Sequence, residues 1–280
     1  MIDSIDEVIE YVDEYDNDKY KSYLINTLIS EPDERDYMYK NFVKVRLPIA
    51  INYSSDIPPI RDQGKQGSCA CHTGATIKEY QERKNVNFLG YMSHQFLYNH
   101  RHNFDKEGMS GREVMKTLQK VGICPEVKFP ESSDKRLSQI SPDVFDCAER
   151  YRIKHYARIE TREELKNSLV RNGPCYISLP YYGHSSKFWR SSSPDQERKG
   201  NHAVTVVGYD DEKQVFILRN SWGKNWGNSG YTYYSYEDCD NSLHNEIWTS
   251  VDDLSSTPYL TTPPKPYVHP SKVVKCCQIL

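Results

Sequence analysis

The stretch Gln63-Gly64-Lys65-Gln66-Gly67-Ser68-Cys69 places a side-chain amide six residues before a cysteine, with two glycines between them. The residues that follow, 70–80, predict a helix with one small-to-apolar face. Ser68 is a candidate N-cap, so Cys69 would lie in the first turn, where unpaired N–H groups and the helix dipole favour a thiolate. A nucleophilic cysteine also needs a base. The small-to-apolar face of the predicted helix consists of Ala70, Thr73, Gly74, Ile77 and Tyr80.

A histidine and an asparagine are placed together by a predicted β-hairpin. His202 lies near the start of a strand that runs to Tyr209, residues 210–213 form a turn, and the next strand ends at Asn220. A hairpin centred near the turn pairs positions whose numbers add to about 422, which sets His202 opposite Asn220. Opposed residues have Cβ atoms roughly 4.5–5.5 Å apart. An asparagine carbonyl can then hold one ring nitrogen and leave the other for a thiol, as in a nucleophile–base–orienter triad.

These segments resemble the papain-like cysteine peptidases. Residues 63–69 are similar to the family's glutamine and nucleophile segment, and Asn201-His202-Ala203 to its histidine strand. Residues 220–231, with Asn220-Ser221-Trp222-Gly223, Trp226-Gly227 and Gly230-Tyr231, resemble its asparagine–tryptophan segment. His202 and Asn220 follow Cys69 at separations that agree with the roughly 130–150 residues expected. The resemblance covers about residues 46–252, including Leu47-Pro48, Met92-Ser93-His94-Gln95 and Asn172-Gly173-Pro174.

The resemblance implies an α+β, papain-like two-lobe fold, with a helical lobe and a β-barrel-like lobe that meet at the active-site cleft. Cys69, His202 and Asn220 would be catalytic, and Gln63 with the Cys69 backbone would form the oxyanion hole. The implied activity is that of a thiol protease, a hydrolase acting on peptides or proteins without a cofactor or a metal. The alternative is a catalytically inactive papain-like scaffold that binds a peptide without cutting it.

Further site residues are implied more weakly. Trp222 would shield the His–Asn hydrogen bond, and the strip from Gly108 to Gly111 would meet the substrate backbone. Asn245 and Glu246 would lie near the specificity pocket. Two positions depart from the family pattern: Gln66 stands where familiar members have a disulfide cysteine, and Ala70 replaces a bulky aromatic residue.

Other cysteines and histidines are interpreted as structural. Cys71 lacks the preceding Gly-Ser turn, so we expect a small packed residue rather than a second nucleophile. His72, with His100 and His102 farther along, has no accompanying ligand set at zinc-binding spacing. We expect buried free thiols at Cys124, Cys147, Cys175 and Cys239.

Composition bounds the setting of the protein. The chain has 280 residues, 37% hydrophobic and 27% charged, with a formal net charge of -3, which gives no support to nucleic-acid binding. Eight scattered cysteines show no disulfide framework, and the N-terminus lacks the pattern of a signal peptide. We therefore expect an intracellular, reducing compartment and a monomer.

Capping signals predict the remaining elements. Ser93 should begin a helix, and Ser110 with Glu113 and Thr161 with Glu164 form capping boxes. Strands are predicted at 175–179, 203–207 and 215–218. The peptidase domain is thus expected over 46–254, with a helical lobe over about 60–150 and a β-rich lobe over about 151–254.

The two ends of the chain differ from this domain. Residues 1–45 form an acidic extension, in which a helix near 2–12 and a second short helix over 19–29 are expected. The extension either rests on the body or acts as a removable or gating pro-segment. The tail, residues 255–280, is a proline-rich spacer that ends in Cys277-Gln278-Ile279-Leu280, a candidate prenylation box. Membrane anchoring would follow only if Cys277 is lipidated; otherwise this is a plain tail.

Overall fold

A computed structural model of the chain describes residues 23, 25–40, 46–102, 104–133 and 136–253. The acidic helix expected near residues 2–12 and the tail with Cys277 lie outside the described residues. The helices are α1 (Cys69–Val86), α2 (His94–Tyr98), α3 (Gly111–Lys120), α4 (Pro142–Glu149), α5 (Arg162–Asn172) and α6 (Tyr236–Asp240), with short 3-10 turns at Ser54–Asp56 and Leu137–Gln139.

Helix α1 runs through the centre of the protein. Every residue from Cys69 to Glu82 is buried, so the helix is enclosed on all sides rather than on the one face that its sequence predicts. Gly74 makes this possible, because a Cβ there would lie 2.5 Å from a methyl carbon of Val114 on α3. The enclosed charge of Lys78 is balanced by Glu82, 2.7 Å away, since a buried charge is stable only when paired.

The other predicted helix starts are confirmed by their capping contacts. Ser93 accepts a hydrogen bond from the backbone N–H of Phe96 at the start of α2. The capping boxes begin α3 at Ser110 and α5 at Thr161. Ser68 occupies the N-cap of α1 and Cys69 lies in its first turn, as predicted, although the Ser68 side chain makes no capping hydrogen bond.

Within the described residues, seven strands form one antiparallel sheet. They are β1 (Ala50–Asn52), β2 (Ile153–Ile159), β3 (Cys175–Tyr181), β4 (Gly200–Asp210), β5 (Val215–Arg219), β6 (Tyr231–Ser235) and β7 (Glu246–Asp252). The order is β2-β7-β3-β4-β5-β6, and β1 pairs with the end of β4. The three predicted strands are confirmed as β3, β4 and β5.

The core is divided between helices and sheet. One cluster of buried side chains surrounds α1 and α3, and includes Met92, Met115 and Leu118. The larger cluster lies on the sheet and includes Phe188 and Trp222. Helices thus dominate the first half and strands the second, as the sequence predicts; the domain limits near residues 45, 150 and 254 stay predictions.

The short helix expected over residues 19–29 is wrong for the part that the structure describes. Residue 23 and residues 25–29 contain no helix. Leu28 instead forms a parallel bridge with Ser110, and the Thr27 N–H donates to the carbonyl of Asn201 at 3.0 Å. These backbone groups pair with the body of the protein, so they are not available to a helix of their own.

Candidate active site

Cys69 is the first residue of α1 and is fully buried. Its sulfur lies 2.8 Å from the hydroxyl oxygen of Thr27. Burial raises the pKa of the Cys69 thiol, and hydrogen bonds from Thr27 and from backbone groups, including that of Ala203, oppose the shift. The thiolate expected from the helix start is therefore not favoured in this covered form. Desolvation outweighs these hydrogen bonds here.

His202 lies in β4 and is also fully buried. Its ring stacks on Trp222 with 4.4 Å between centroids and 25° between planes, and Phe188 packs against it at 5.1 Å. Burial lowers the pKa of His202 to about 3, although the hydrogen bond to Asn220 acts in the opposite direction. The imidazole is thus neutral in the covered form.

Asn220 follows directly after β5 and orients this ring. Its Oδ1 lies 2.7 Å from Nε2 of His202 and also accepts from the backbone N–H of Ser221 at 2.8 Å. Within the described part of the chain, Nδ1 of His202 has no hydrogen-bond partner. The ring therefore has one nitrogen held and the other open, which is what a base serving a thiol requires.

The predicted contact between these two residues is present, but the predicted register is wrong. In the β4–β5 hairpin, paired residues such as Thr205 and Arg219 have numbers that add to 424 or 425, with an irregularity after Val206. His202 lies beyond this ladder and pairs with Leu179 of β3 instead. Asn220 reaches His202 from the loop after β5.

Gln63 is tied to the same loop. Its Oε1 accepts from the Ser221 hydroxyl at 2.6 Å, and its Nε2 donates to the carbonyl of Gln66 at 3.0 Å. Its backbone N–H donates to the carbonyl of Ser221 at 2.8 Å. These bonds fix the glutamine amide at the junction of the segment before α1 and the loop that carries Asn220.

A segment from the N-terminal extension covers Cys69 and the neighbouring strip that contains Gly108. Besides the contact of Thr27 with Cys69, the Asn26 side chain donates to the carbonyl of Glu107 at 2.9 Å. Gly108, with φ +95°, permits this approach, because a Cβ there would lie 1.8 Å from the carbonyl oxygen of Asn26. The strip predicted to meet a substrate backbone thus meets the chain's own backbone.

The covering segment, residues 25–40, is fastened at a second point on α3. The hydroxyl of Ser30 accepts from the Arg112 N–H at 3.2 Å. The Arg112 guanidinium donates to both oxygens of Asp36, one bond measuring 2.8 Å, and both side chains are mostly buried. A paired, bidentate arginine of this kind is a strong anchor.

Sequence reasoning missed Thr27, Asn26 and Asp36. Threonine, asparagine and aspartate in a polar stretch carry no local pattern that points to a distant cysteine. The only available signal was the position of an unassigned extension before the candidate nucleophile.

The residues predicted more weakly to line the substrate cleft, Gly111, Asn245 and Glu246, lie close to one another or to the histidine strand. Gly111 donates its N–H to Glu246 at 3.1 Å, and a Cβ there would touch Tyr176. Asn245 donates to the side chain of Asn201 at 3.1 Å. Glu246 and Asn245 are therefore both near the covered cleft.

Cys71 is buried against the sulfur of Met109 at 3.6 Å, as a packed residue. Cys124, Cys175 and Cys239 are buried free thiols, whereas Cys147 is partly exposed, so its predicted burial is wrong. It lies near the end of the short surface helix α4. Among the described residues, no group of three or more His, Cys, Asp or Glu side chains could hold a metal ion.

Comparison with known proteins identifies the family. The model of the papain family of cysteine proteases matches residues 48–250, and the chain therefore belongs to that family. Cathepsin K of Mus musculus is 28% identical over 212 residues, which cover 70% of this chain and 62% of that protein. Chymopapain of Carica papaya is 24% identical over 227 residues, which cover 77% of this chain and 64% of that protein. The matches thus span somewhat less than two thirds of these relatives' lengths.

Solved structures confirm the predicted fold. Xylellain, a cysteine protease from Xylella fastidiosa, superposes with a TM-score of 0.71 at 25% identity, covering 82% of this chain and 97% of that one. Digestive procathepsin L 3 of Tenebrio molitor superposes with a TM-score of 0.66 at 19% identity, covering 84% and 79%. Both solved structures share the papain-like α+β fold with this chain. Within the described ranges, no helix is long and apolar enough to cross a membrane.

Proposed function

We propose that this protein is a cysteine peptidase that hydrolyses peptide bonds with Cys69 as nucleophile. The observation that carries the proposal is the His202–Asn220 hydrogen bond of 2.7 Å, which leaves Nδ1 of His202 without a partner among the described residues. The Cys69 thiol interacts with the backbone of Ala203, the neighbour of that histidine. Nucleophile, base and orienter thus belong to one cluster.

The proposed reaction begins when His202 takes the thiol proton through Nδ1. The Cys69 thiolate attacks the peptide carbonyl carbon, and the carbonyl π electrons move to its oxygen. The imidazolium then gives the proton to the amine nitrogen as the C–N bond breaks, which leaves a thioester. Water, deprotonated by the same nitrogen, attacks the thioester and releases the acid and the thiol.

The oxyanion formed in both steps needs donors in place beforehand. We propose the Gln63 side-chain amide and the Cys69 backbone N–H for this role. The support is the bond from Ser221 to Gln63 Oε1, which turns the amide's donor end away from that loop; the amide nitrogen has two N–H groups, and the bond to the Gln66 carbonyl at 3.0 Å uses one of them. The first N–H groups of α1 have no partner within the helix, so the Cys69 N–H can donate outward.

We further propose that the covering segment is an inhibitory pro-segment. Thr27 occupies the space above the sulfur, and the Asn26–Gly108 and Asp36–Arg112 contacts hold it there. It excludes water as well as substrate, and so keeps both the thiol and the imidazole neutral. Release would let both groups hydrate, which favours the thiolate–imidazolium pair.

The test is labelling with a peptidyl epoxide, followed by hydrolysis assays on the full chain and on a chain lacking residues 1–45. We expect labelling at Cys69, and loss of turnover in Cys69→Ala and His202→Ala. If neither chain labels or cleaves while both bind peptide, the inactive peptide-binding scaffold is the correct description.

Location is a separate proposal. A reducing, intracellular compartment is supported by the six free cysteines of the described residues.

Prenylation of Cys277 is tested by mass spectrometry of protein made in a prenylating cell. Intact, unmodified Cys277-Gln278-Ile279-Leu280 would rule the anchor out.

A further inference from the structure

A small polar cavity lies behind Asn220, on the side that faces α1. Its volume is about 10 Å³. One water molecule needs roughly 10–15 Å³ on this measure, so there is room for about one. The lining side chains are Arg61, His72, Thr73, Thr76, Thr205, Arg219, Asn220 and Ser221.

Two of the lining residues carry nitrogens without a partner. Among the described residues, neither Nδ2 of Asn220 nor Nε2 of His72 makes a hydrogen bond, and each residue is only 3% exposed. An unpaired buried polar group is costly, and such groups are normally satisfied by protein or by ordered water. Both nitrogens belong to residues that line the same cavity.

His72 is suited to accept a hydrogen bond here. Its ring stacks on His94 with 3.8 Å between centroids and 20° between planes. Burial, with the charge of Arg61 among the further causes, keeps the pKa of His72 well below its usual value. A neutral imidazole offers one nitrogen as an acceptor, whereas the Asn220 amide nitrogen is a donor only.

We propose that one water molecule occupies this cavity, accepts a hydrogen bond from Nδ2 of Asn220 and donates one to Nε2 of His72. His72 is thereby a positioning residue for the His202–Asn220 pair, an inference that rests on the proposed peptidase function. Arg61 and Arg219 also line the cavity, and their positive charges favour a water whose oxygen faces them and whose hydrogen points to His72.

The consequence concerns which end of the Asn220 amide meets His202. The two ends have nearly the same shape, so only hydrogen bonds select between them. Nδ2 held by the water leaves Oδ1 for Nε2 of His202, at the observed 2.7 Å. The backbone N–H of Ser221, 2.8 Å from Oδ1, favours the same orientation, and loss of the water weakens this selection, so that an amide turned to present N–H groups to the ring gains population. The imidazole would then lose the tautomer that places its free nitrogen toward the thiol.

The first test is a crystal structure of the full chain at a resolution that shows ordered water. We expect one water within hydrogen-bond distance of both nitrogens. An empty cavity, or a chloride ion identified by its anomalous scattering, would overturn the proposal. This result does not depend on whether the protein cleaves peptides, so it separates this proposal from that one.

The second test compares His72→Phe with His72→Gln in the full chain. Phenylalanine keeps the ring stack but has no acceptor, and glutamine carries a carbonyl near the position of Nε2. We expect kcat to fall about tenfold in the first variant with KM within about twofold, and to recover in the second. Equal kcat in His72→Phe and wild type, or equal loss in both variants, contradicts a positioning role.

His100→Phe is the matched control. It replaces another histidine, partly buried, which does not line the cavity; its ring packs 4.5 Å from that of Phe96, and its Nδ1 lies 2.7 Å from the Phe96 carbonyl oxygen, a contact that this variant also removes. We expect the kcat of His100→Phe to match that of the wild type, even if its melting temperature falls as much as that of His72→Phe. If His72→Phe fails to fold, the crystal structure of His72→Gln decides: the water must still bridge residue 72 and Asn220, and its absence refutes the bridge.

Discussion

The hydroxyl oxygen of Thr27 lies 2.8 Å from the sulfur of Cys69, and both atoms are shut away from solvent. This contact joins two positions 42 residues apart in the chain. The candidate nucleophile of the described form is therefore covered by a segment of its own chain. Access to Cys69 therefore depends on what holds residues 25–40 in place.

The first prediction concerns the ion pair between Asp36 and Arg112. Asp36→Asn removes the charge that anchors the covering segment to α3, so the uncovered state should gain population. Weakening by ~1–3 kcal/mol corresponds to roughly a five- to 150-fold rise in the rate of Cys69 alkylation by iodoacetamide. The rate is measured by mass spectrometry under non-denaturing conditions.

Asp33→Asn is the matched control, because the ion pair of Asp33 is with the exposed Arg35, and its charge acts on Arg112 less than that of Asp36 does. It should leave the alkylation rate unchanged. Equal rates in Asp36→Asn and wild type, with a faster rate after deletion of residues 1–45, would show that the anchor lies elsewhere in the extension.

The second prediction uses a close approach of two backbones. Gly108→Ala places a Cβ 1.8 Å from the carbonyl oxygen of Asn26, so the covering segment must move away and Cys69 should be alkylated faster. Gly64→Ala imposes similar backbone strain at φ +57° but meets nothing within 4 Å. It should not change the rate. Faster alkylation in both variants would indicate general loosening instead of displacement of the segment.

The third prediction concerns the oxyanion hole. Gln63→Ala should lower kcat by ~10²–10³, because it removes a donor to the developing oxyanion. Ser221→Ala keeps the amide but removes its 2.6 Å support, so its loss should be smaller, about tenfold or less. Similar losses in the two variants would show that Gln63 acts mainly by holding the loop.

The fourth prediction is a pH dependence of stability. Burial lowers the pKa of His202 to about 3 and those of His184 and His244 to about 4, from an ordinary 6.5. Between these limits the unfolded chain binds protons that the folded chain does not, so the free energy of unfolding must fall as the pH falls from about 6.5 toward 4. Each such histidine adds up to about 1.4 kcal/mol per pH unit in that window.

The measurement is urea unfolding of wild type and His202→Asn at several pH values. The carboxylates common to both chains cancel in the difference, so the variant should show a shallower dependence, by about one proton. Identical slopes would mean that His202 is already charged in the folded protein, contrary to its buried, neutral description.

The site shows what can be predicted from sequence and what cannot. The candidates Cys69 and Gln63, and the helix that begins at Cys69, follow from local spacing and from the position of Ser68 at the N-cap. His202 and Asn220 were placed together by a hairpin register that is wrong, because the turn spans residues 211–214 instead of 210–213, and Asn220 lies in the loop beyond the ladder. The contact was right because both residues sit near the same end of adjacent strands, which a small change in register preserves.

The covering segment lay beyond such reasoning. Thr27 meets Cys69, and Asp36 meets Arg112, through tertiary contacts with no periodic pattern in sequence. The predicted helix over 19–29 failed in its described part for the same reason, since tertiary pairing with Ser110 and Asn201 overrides local propensity.

The most direct measurement of the central claim is the rate of peptidyl-epoxide labelling, read by peptide mass spectrometry, in the full chain and in the chain without residues 1–45. Cys69 should carry the label, slowly in the first chain and quickly in the second, and Cys71 should carry none. His202→Ala should abolish the fast labelling. Labelling at another cysteine, or no labelling of an uncovered and folded chain, would contradict the assignment of Cys69 as the nucleophile.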